Sequence, residues 1–203
     1  MKTISFAITV CNEIDELLKL VPFIEENKHE NDEIVIQYDS SNVTEDVMMY
    51  LNTLPHRIVG FPLGNDFSNF KNNLIKHCTK NYIFQIDADE IPHELLMENI
   101  HGLLEQESVD LLYVPRVNTV AGITKEHIQK WGWRTNENGW INFPDYQSRI
   151  HRRDPNIKWI NKVHEQIIGF KTFSRIPAYE ELSLYHHKHI ERQEKQNNFY
   201  SKL

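Results

Sequence analysis

The chain alternates short apolar runs with stretches that place apolar residues at helical spacing. Ile4-Ser5-Phe6-Ala7-Ile8-Thr9-Val10 is almost continuously apolar, which suits a strand covered on both faces in a parallel sheet. It stops at Cys11-Asn12-Glu13, and Ile14 to Glu26 then carries Leu17, Leu18, Val21 and Ile24 on one helical face. Asn12 is the expected N-cap of that helix, and Pro22 is expected to kink or shorten it. The pattern recurs. Glu33 to Tyr38 predicts a strand, Asp39 to Asn42 its loop, and Thr44 to Leu54 an amphipathic helix. Arg57 to Phe61 predicts a third strand, followed by a helix from Asn65 to Thr79 whose buried face is Phe67, Phe70, Leu74, Ile75 and Cys78. Tyr82 to Ile86 is the fourth strand, and Pro92 is expected in the first turn of a helix that runs through Leu104.

Strands alternating with helices imply βαβ units, right-handed crossovers and a mostly parallel sheet. Ligands bind such sheets beyond the carboxyl ends of the strands. Glu13, Asp39, Asp87 and Asp89 all fall at those ends, although they are scattered in sequence. Asp87 and Asp89 are two apart after an extended run, so both carboxylates can aim at one point past the strand end. A hard cation suits that point, because magnesium needs only one or two protein carboxylates when phosphates and water complete its shell. The alternative is a solvated acidic turn, with Glu90 and Glu94 favoured near a helix N-terminus.

Beyond Leu104 the texture changes. Asp110 to Val117 is strand-like, and the run to Phe143 holds Trp131, Trp133 and Trp140, read either as a satellite core under a long loop or as a stacking platform for sugar rings. Tyr146 to Arg153 and Trp159 to Ile167 both alternate, and predict a pair of antiparallel strands. Leu182 to Tyr185 leads into His186-His187-Lys188-His189, and a polar helix is expected from Ile190. The histidines do not make a structural zinc site, which wants four ligands, and neither cysteine lies near them in sequence. Arg149, Arg152 and Arg153 read as a solvated strand face or as steering charges for an acidic ligand.

Composition narrows the function. The 203 residues carry a net charge of -7, which argues against a nucleic-acid binder, since nothing would supply long-range attraction to a polyanion. Two cysteines, Cys11 and Cys78, are too few for a disulfide framework and fit a reducing compartment. No apolar run is long enough to cross a bilayer and no signal-peptide pattern opens the chain, so the expected location is cytoplasmic, with at most peripheral membrane contact.

Five pieces in order resemble family 2 glycosyltransferases of GT-A fold: Thr9-Val10-Cys11-Asn12-Glu13; Asp39-Ser40-Ser41; Asp66-Phe67-Ser68 with Lys71-Asn72; Ile86-Asp87-Ala88-Asp89-Glu90; and Arg149 to Arg153 with Val163-His164-Glu165. The branch most similar is that of lipopolysaccharide core glucosyltransferases. The resemblance implies an α/β, Rossmann-like, mostly parallel sheet with flanking helices and a small antiparallel C-terminal part. It implies one domain over 1–203, with 1–108 binding a nucleotide-sugar, 109–190 serving acceptor and catalysis, and 191–203 a tail. The implied reaction is inverting, metal-dependent transfer of a sugar to a hydroxyl of a glycan or glycolipid, with Mn2+ or Mg2+ and a UDP-sugar as the expected donor.

Carried onto this sequence, the resemblance has Val10, Asn12 and Glu13 holding the nucleoside, Asp39 contacting the base, and Lys71 and Asn72 lining the donor pocket. Asp87 faces ribose or metal, and Asp89 is the main metal ligand. Glu165 is the first choice for the general base, with Asp145 second, His164 steadying the base or reaching the diphosphate, and His186 completing the metal site. The chain departs from the family by lacking the glycine and second aspartate expected after Asp39-Ser40, and by having Lys71 where Arg is common; Lys lacks the bidentate fork of Arg. The short length suggests a homodimer or partner completing the acceptor side. Two other classes stay in view. A sugar-nucleotide nucleotidyltransferase would need a Gly-rich basic loop, which Val10 to Glu13 does not provide, and a non-catalytic carbohydrate-binding module would explain the tryptophans but not the acids.

Overall fold

The computed structural model describes residues 1–200, and residues 201–203 of the expected tail lie outside the described residues. The first half is a βα alternation. β1 (Ile4–Val10) leads to α1 (Ile14–Asn27), β2 (Glu33–Asp39) to α2 (Glu45–Leu51), β3 (Arg57–Phe61) to α3 (Phe67–Ile75), and β4 (Tyr82–Asp87) through the short β5 (Ile91–Pro92) to α4 (Glu94–Glu107). β6 (Leu111–Val114) and β7 (Arg116–Ala121) follow, then α5 (Lys125–Trp131), β8 (Gln147–Arg152), β9 (Lys158–Ile160), β10 (Gln166–Ile168), β11 (Phe173–Arg175), β12 (Leu184–His189) and α6 (Ile190–Tyr200).

Seven strands form one sheet in the order β11-β6-β8-β4-β1-β2-β3. All neighbours are parallel except at β8, which runs against both β4 and β6. This is the mostly parallel, Rossmann-like α/β sheet expected from the alternation. β1 is apolar on both faces because both are covered: Ile4, Phe6, Ala7 and Ile8 have no exposed surface. One layer packs Phe6, Ile8, Phe84 and Ile86 against Leu17, Leu20, Ile24, Leu96 and Ile100 of α1 and α4, and the other sets Ala7, Val35 and Ile83 under Leu74 of α3 and Cys78 just past it. The chain winds from β1 outward to β3 and returns to β4 on the other side of β1. The switch point of the sheet therefore lies between β1 and β4, where Thr9 pairs with Asp87.

Four local expectations are corrected. α1 runs unbroken through Pro22. Its N-cap is Glu13 rather than Asn12, and the Glu13 carboxylate turns back to accept the backbone N–H groups of Cys11 and Asn12. Pro92 belongs to β5, which pairs with β12, and α4 starts at Glu94 with His93 accepting from the Leu95 N–H. The two alternating segments after Tyr146 do not pair with each other: β8 inserts between β4 and β6, while β9 folds back on β10. Left-handed backbone at Asn161 and His164 turns the chain inside the second segment, which periodicity alone does not register. Just past β10, Gly169 has φ 88, and a Cβ there would stand 1.9 Å from the Asn156 carbonyl oxygen. A smaller sheet, β5-β12-β7, sets His186 beside Asp89, just past β4.

Candidate functional site

A cavity of about 980 Å³ opens beyond the carboxyl ends of β1, β2 and β4. Val10, Asn12, Glu13, Asp39, Lys71, Asp87, Asp89, Asp145, His164, Glu165 and His186, all expected at a site, line it. Asn72 does not. Its side-chain amide donates to the Trp159 carbonyl and accepts from the Trp159 N–H, so it ties α3 to β9 and holds the cavity wall from behind.

The acids differ in how far they are already engaged. Asp39 is buried at the end of β2 and accepts from the N–H groups of Ser41 and Leu63 and from Asn42. Asp87 accepts from Thr9 Oγ1 at 2.8 Å and from Arg149 at 2.6 Å. Burial alone would raise the Asp87 carboxyl, but Arg149, Lys71 and these bonds outweigh it and hold it far below its ordinary value. Asp89 faces His186, Nε2 to Oδ2 at 3.3 Å, with Lys188 Nζ at 3.7 Å and Arg192 at 3.4 Å from the same oxygen. Burial is again outweighed, here by the His186 bond and charge and by Lys188, and Asp89 is held as a carboxylate. Asp145 accepts from Arg116, Asn118 and Gln147. Desolvation would raise it; Arg116 first among the opposing groups pulls it below the usual carboxylate range, which makes it a weak proton acceptor.

Glu90 has no exposed surface, and its carboxylate is bonded by Arg116 at 2.7 Å and Arg149 at 2.5 Å. Arg149 bridges Glu90 to Asp87, and Arg116 bridges Glu90 to Asp145. These guanidiniums form a buried frame that fixes the acids. The sequence offered little signal for it. Arg149 reads as one polar residue in an alternating strand, and only the pairing of β8 against β4 places it beside Asp87.

Also in the cavity lining, Lys71 Nζ stands 2.5 Å from Glu165 Oε1 and 4.6 Å over the Trp159 ring. The left-handed turn at His164 is what lets His164 and Glu165, adjacent in sequence, both line the cavity. The Trp159 indole N–H donates to Gln85, so the ring beneath Lys71 is itself anchored. The thiol of Cys11, just past β1, is pushed up to about 11 by burial and by Glu13 and Asp39, which leaves it protonated.

β12 delivers His186 and Lys188 on one face and leaves His187 and His189 exposed, as strand alternation requires. His186 Nδ1 is hydrogen-bonded to Asn118 Oδ1 at 2.7 Å, which turns its other nitrogen to Asp89. Lys188 carries no signal in the sequence beyond its place two residues after His186. α6 adds Arg192, paired with Glu13 at 3.0 Å and Glu16 at 2.6 Å. Of the tryptophans, Trp133 lines the cavity and rests on Trp131, which stacks on His127, while Trp140 packs on Phe143.

Among the described residues no three His, Cys, Asp or Glu side chains gather into a ready-made cation site. A site that borrows phosphate oxygens needs fewer. Asp89 and His186 present one carboxylate and one imidazole nitrogen side by side, oriented by Asn118, which fits a divalent cation whose other ligands are diphosphate and water. Asp87, with both oxygens engaged, is less available to a cation than Asp89.

Comparisons with known proteins agree with this architecture. A family model described as Glycosyl transferase family 2 matches residues 5–181. No curated protein matches the chain. Among solved structures, residues 1–349 of S. aureus TarS in complex with UDP-GlcNAc superpose with a TM-score of 0.66 at 12% identity, covering 93% of this chain and 59% of that one. The same TarS segment in complex with UDP gives 0.63 at 12% identity, with 92% and 60% covered. The chain thus spans about three fifths of the length of those TarS chains, and the likeness is one of fold.

Proposed function

Because the chain belongs to glycosyl transferase family 2, we propose that it moves a sugar from a nucleoside diphosphate sugar to a hydroxyl group of a glycan or glycolipid, with inversion at the anomeric carbon. The observation that carries the reading is the convergence of Asp89 and His186 in the switch-point cavity, which Glu165 also lines. Residues 1–108 serve the donor and 109–190 the acceptor and the chemistry. UDP is the nucleotide we favour, since a UDP-sugar and UDP occupy the TarS structures that share this fold. A glycolipid acceptor, as in the lipopolysaccharide core branch, and a cytoplasmic location belong to the same proposal.

Each step falls to a named group. Glu13, Asp39 and the backbone from Val10 to Asn12 border the nucleoside, and Asp87 faces the ribose. Asp89 and His186 would hold Mn2+ or Mg2+, which supplies positive charge to the diphosphate as the glycosidic bond breaks. The acceptor oxygen attacks the anomeric carbon from the side opposite the diphosphate, the carbon–oxygen bond to phosphate breaks, and Glu165 takes the acceptor proton. Lys71 holds one oxygen of Glu165 and leaves the other for that proton. Asp145 is set aside as base because three side chains already bond its carboxylate.

Calorimetric titration with UDP and other nucleoside diphosphates, with and without Mn2+, tests the reading. Metal-strengthened binding followed by turnover in a panel of nucleotide-sugars is the expected result. Absence of any nucleotide binding sinks it and returns the tryptophans to the carbohydrate-binding alternative.

A further inference from the structure

Arg192 stands in an unusual place for a helix residue so far along the chain. Its guanidinium spans from Glu13, just past β1, to Asp89, just past β4, with Glu16 of α1 holding it from outside. β1 lies between β2 and β4, so a nucleotide with its base near Asp39 and its phosphates at Asp89 must cross this line. Lys188 flanks Asp89 alone, whereas Arg192 is shared by Glu13 and Asp89, two carboxylates that would otherwise repel a diphosphate crossing between them.

Four other cations that line the cavity are committed, among them Lys188, which donates to Gln196 and faces Asp89 at 3.7 Å. Arg116 and Arg149 each bond two carboxylates, and Lys71 is held by Glu165. Arg192 is held differently. Its side chain keeps 34% of its exposure, and its partners Glu16 and Glu13 keep 33% and 19%. No residue of α6 from 190 to 197 is buried, so the helix rests on polar contacts such as Lys188 to Gln196 rather than on a core. Such an element opens at low cost. A guanidinium also matches paired phosphate oxygens with two parallel N–H bonds, which an ammonium cannot do.

We propose that Arg192 is a diphosphate latch. It screens Glu13 and Asp89 while the cavity is empty, then exchanges its carboxylate partners for diphosphate oxygens when a nucleoside diphosphate enters, seating α6 over the donor. This rests on the donor reading of the cavity, and the test separates the two.

The probe is UDP, titrated calorimetrically into the full chain and into Arg192→Met and Glu16→Gln, with uridine as the phosphate-free control and hydrogen exchange read over residues 190–197. Arg192→Met weakens UDP about tenfold and leaves uridine unchanged or tighter. Glu16→Gln, which removes a competitor for the guanidinium, tightens UDP about twofold to threefold. UDP protects 190–197 in the parent chain and not in Arg192→Met. If Arg192→Met binds UDP as tightly as the parent or more tightly, Arg192 is a plug or a surface pair and the latch is wrong. If the parent binds no nucleoside diphosphate, the donor reading fails and the latch with it. A normally folded Arg192→Lys with UDP affinity between the two supports the bidentate contact; full restoration by Lys overturns it.

Discussion

Lys71 Nζ and Glu165 Oε1 are 2.5 Å apart although 94 residues separate them in sequence, and both residues line the cavity. The contact exists because Asn72 bonds both backbone groups of Trp159, which brings β9 and its turn against α3. Lys71 then lies in a box made by the Trp159 ring and the Glu165 carboxylate. The candidate base therefore has one oxygen fixed by Lys71.

Replacing Glu165 by Gln keeps the size and a bond to Lys71 but removes the proton acceptor. Transfer should fall by roughly 10²–10⁴-fold, while UDP affinity changes less than about threefold. Steady-state kinetics beside calorimetry checks the split, and a parallel loss of both would mean that Glu165 binds the donor instead.

Asp89→Ala should abolish transfer and remove the effect of Mn2+ on UDP affinity. The fold should survive, because Asp89 lies on the cavity rim at the end of β4 and not in the frame around Glu90. Circular dichroism establishes folding, and metal-dependent UDP binding in the variant would count against the assignment.

Arg149→Met tests the buried frame. Asp87 and Glu90 lose their shared partner in a place with almost no water, so stability should drop by about 3 kcal/mol or more, lowering Tm by about 10 °C in a chain of this size. Adding Glu90→Gln should recover part of the loss, since the second change removes a charge left unpaired. Urea unfolding of the single and double variants measures that coupling.

His151 predicts a pH effect on stability. It lies on β8 with 1% exposure, and burial depresses its pKa to about 4 from an ordinary 6.5. Below pH 6.5 the unfolded chain takes up a proton that the folded chain refuses until about pH 4, so stability falls across that window as the solution is acidified. The size is on the order of 3 kcal/mol. His151→Leu should flatten the decline between pH 6.5 and 4. Asp87, held below its ordinary value, contributes stability that is lost only at more acidic pH, so the two effects separate in urea unfolding run at several pH values.

Much of the site was readable before any tertiary contact was known. The run from Tyr82 to Asp89 announced a strand ending in carboxylates, and the βα alternation placed Glu13 and Asp39 at neighbouring strand ends, because a parallel sheet puts all such ends on one side. What could not be read were contacts set by strand insertion and by turns. Arg149 gained its role from β8 entering between β4 and β6, and Glu90 changed from a helix-start acid to the buried centre of two guanidiniums. Asn72, expected in the donor pocket, went instead to the backbone of Trp159.

The sequence by itself determined the layered α/β sheet, the edge at which a ligand would lie and the identity of most acids there, since hydrophobic period and strand direction are local properties that recur along the chain. Only the tertiary structure decided which acid remains available. Pairing of Asp87 with Arg149 and Thr9, of Asp145 with Arg116, and of Asp89 with His186 depends on residues dozens of positions away, brought together by the order of strands in the sheet. The charge state and reach of a carboxylate are set by such neighbours, and no periodicity along the chain encodes them.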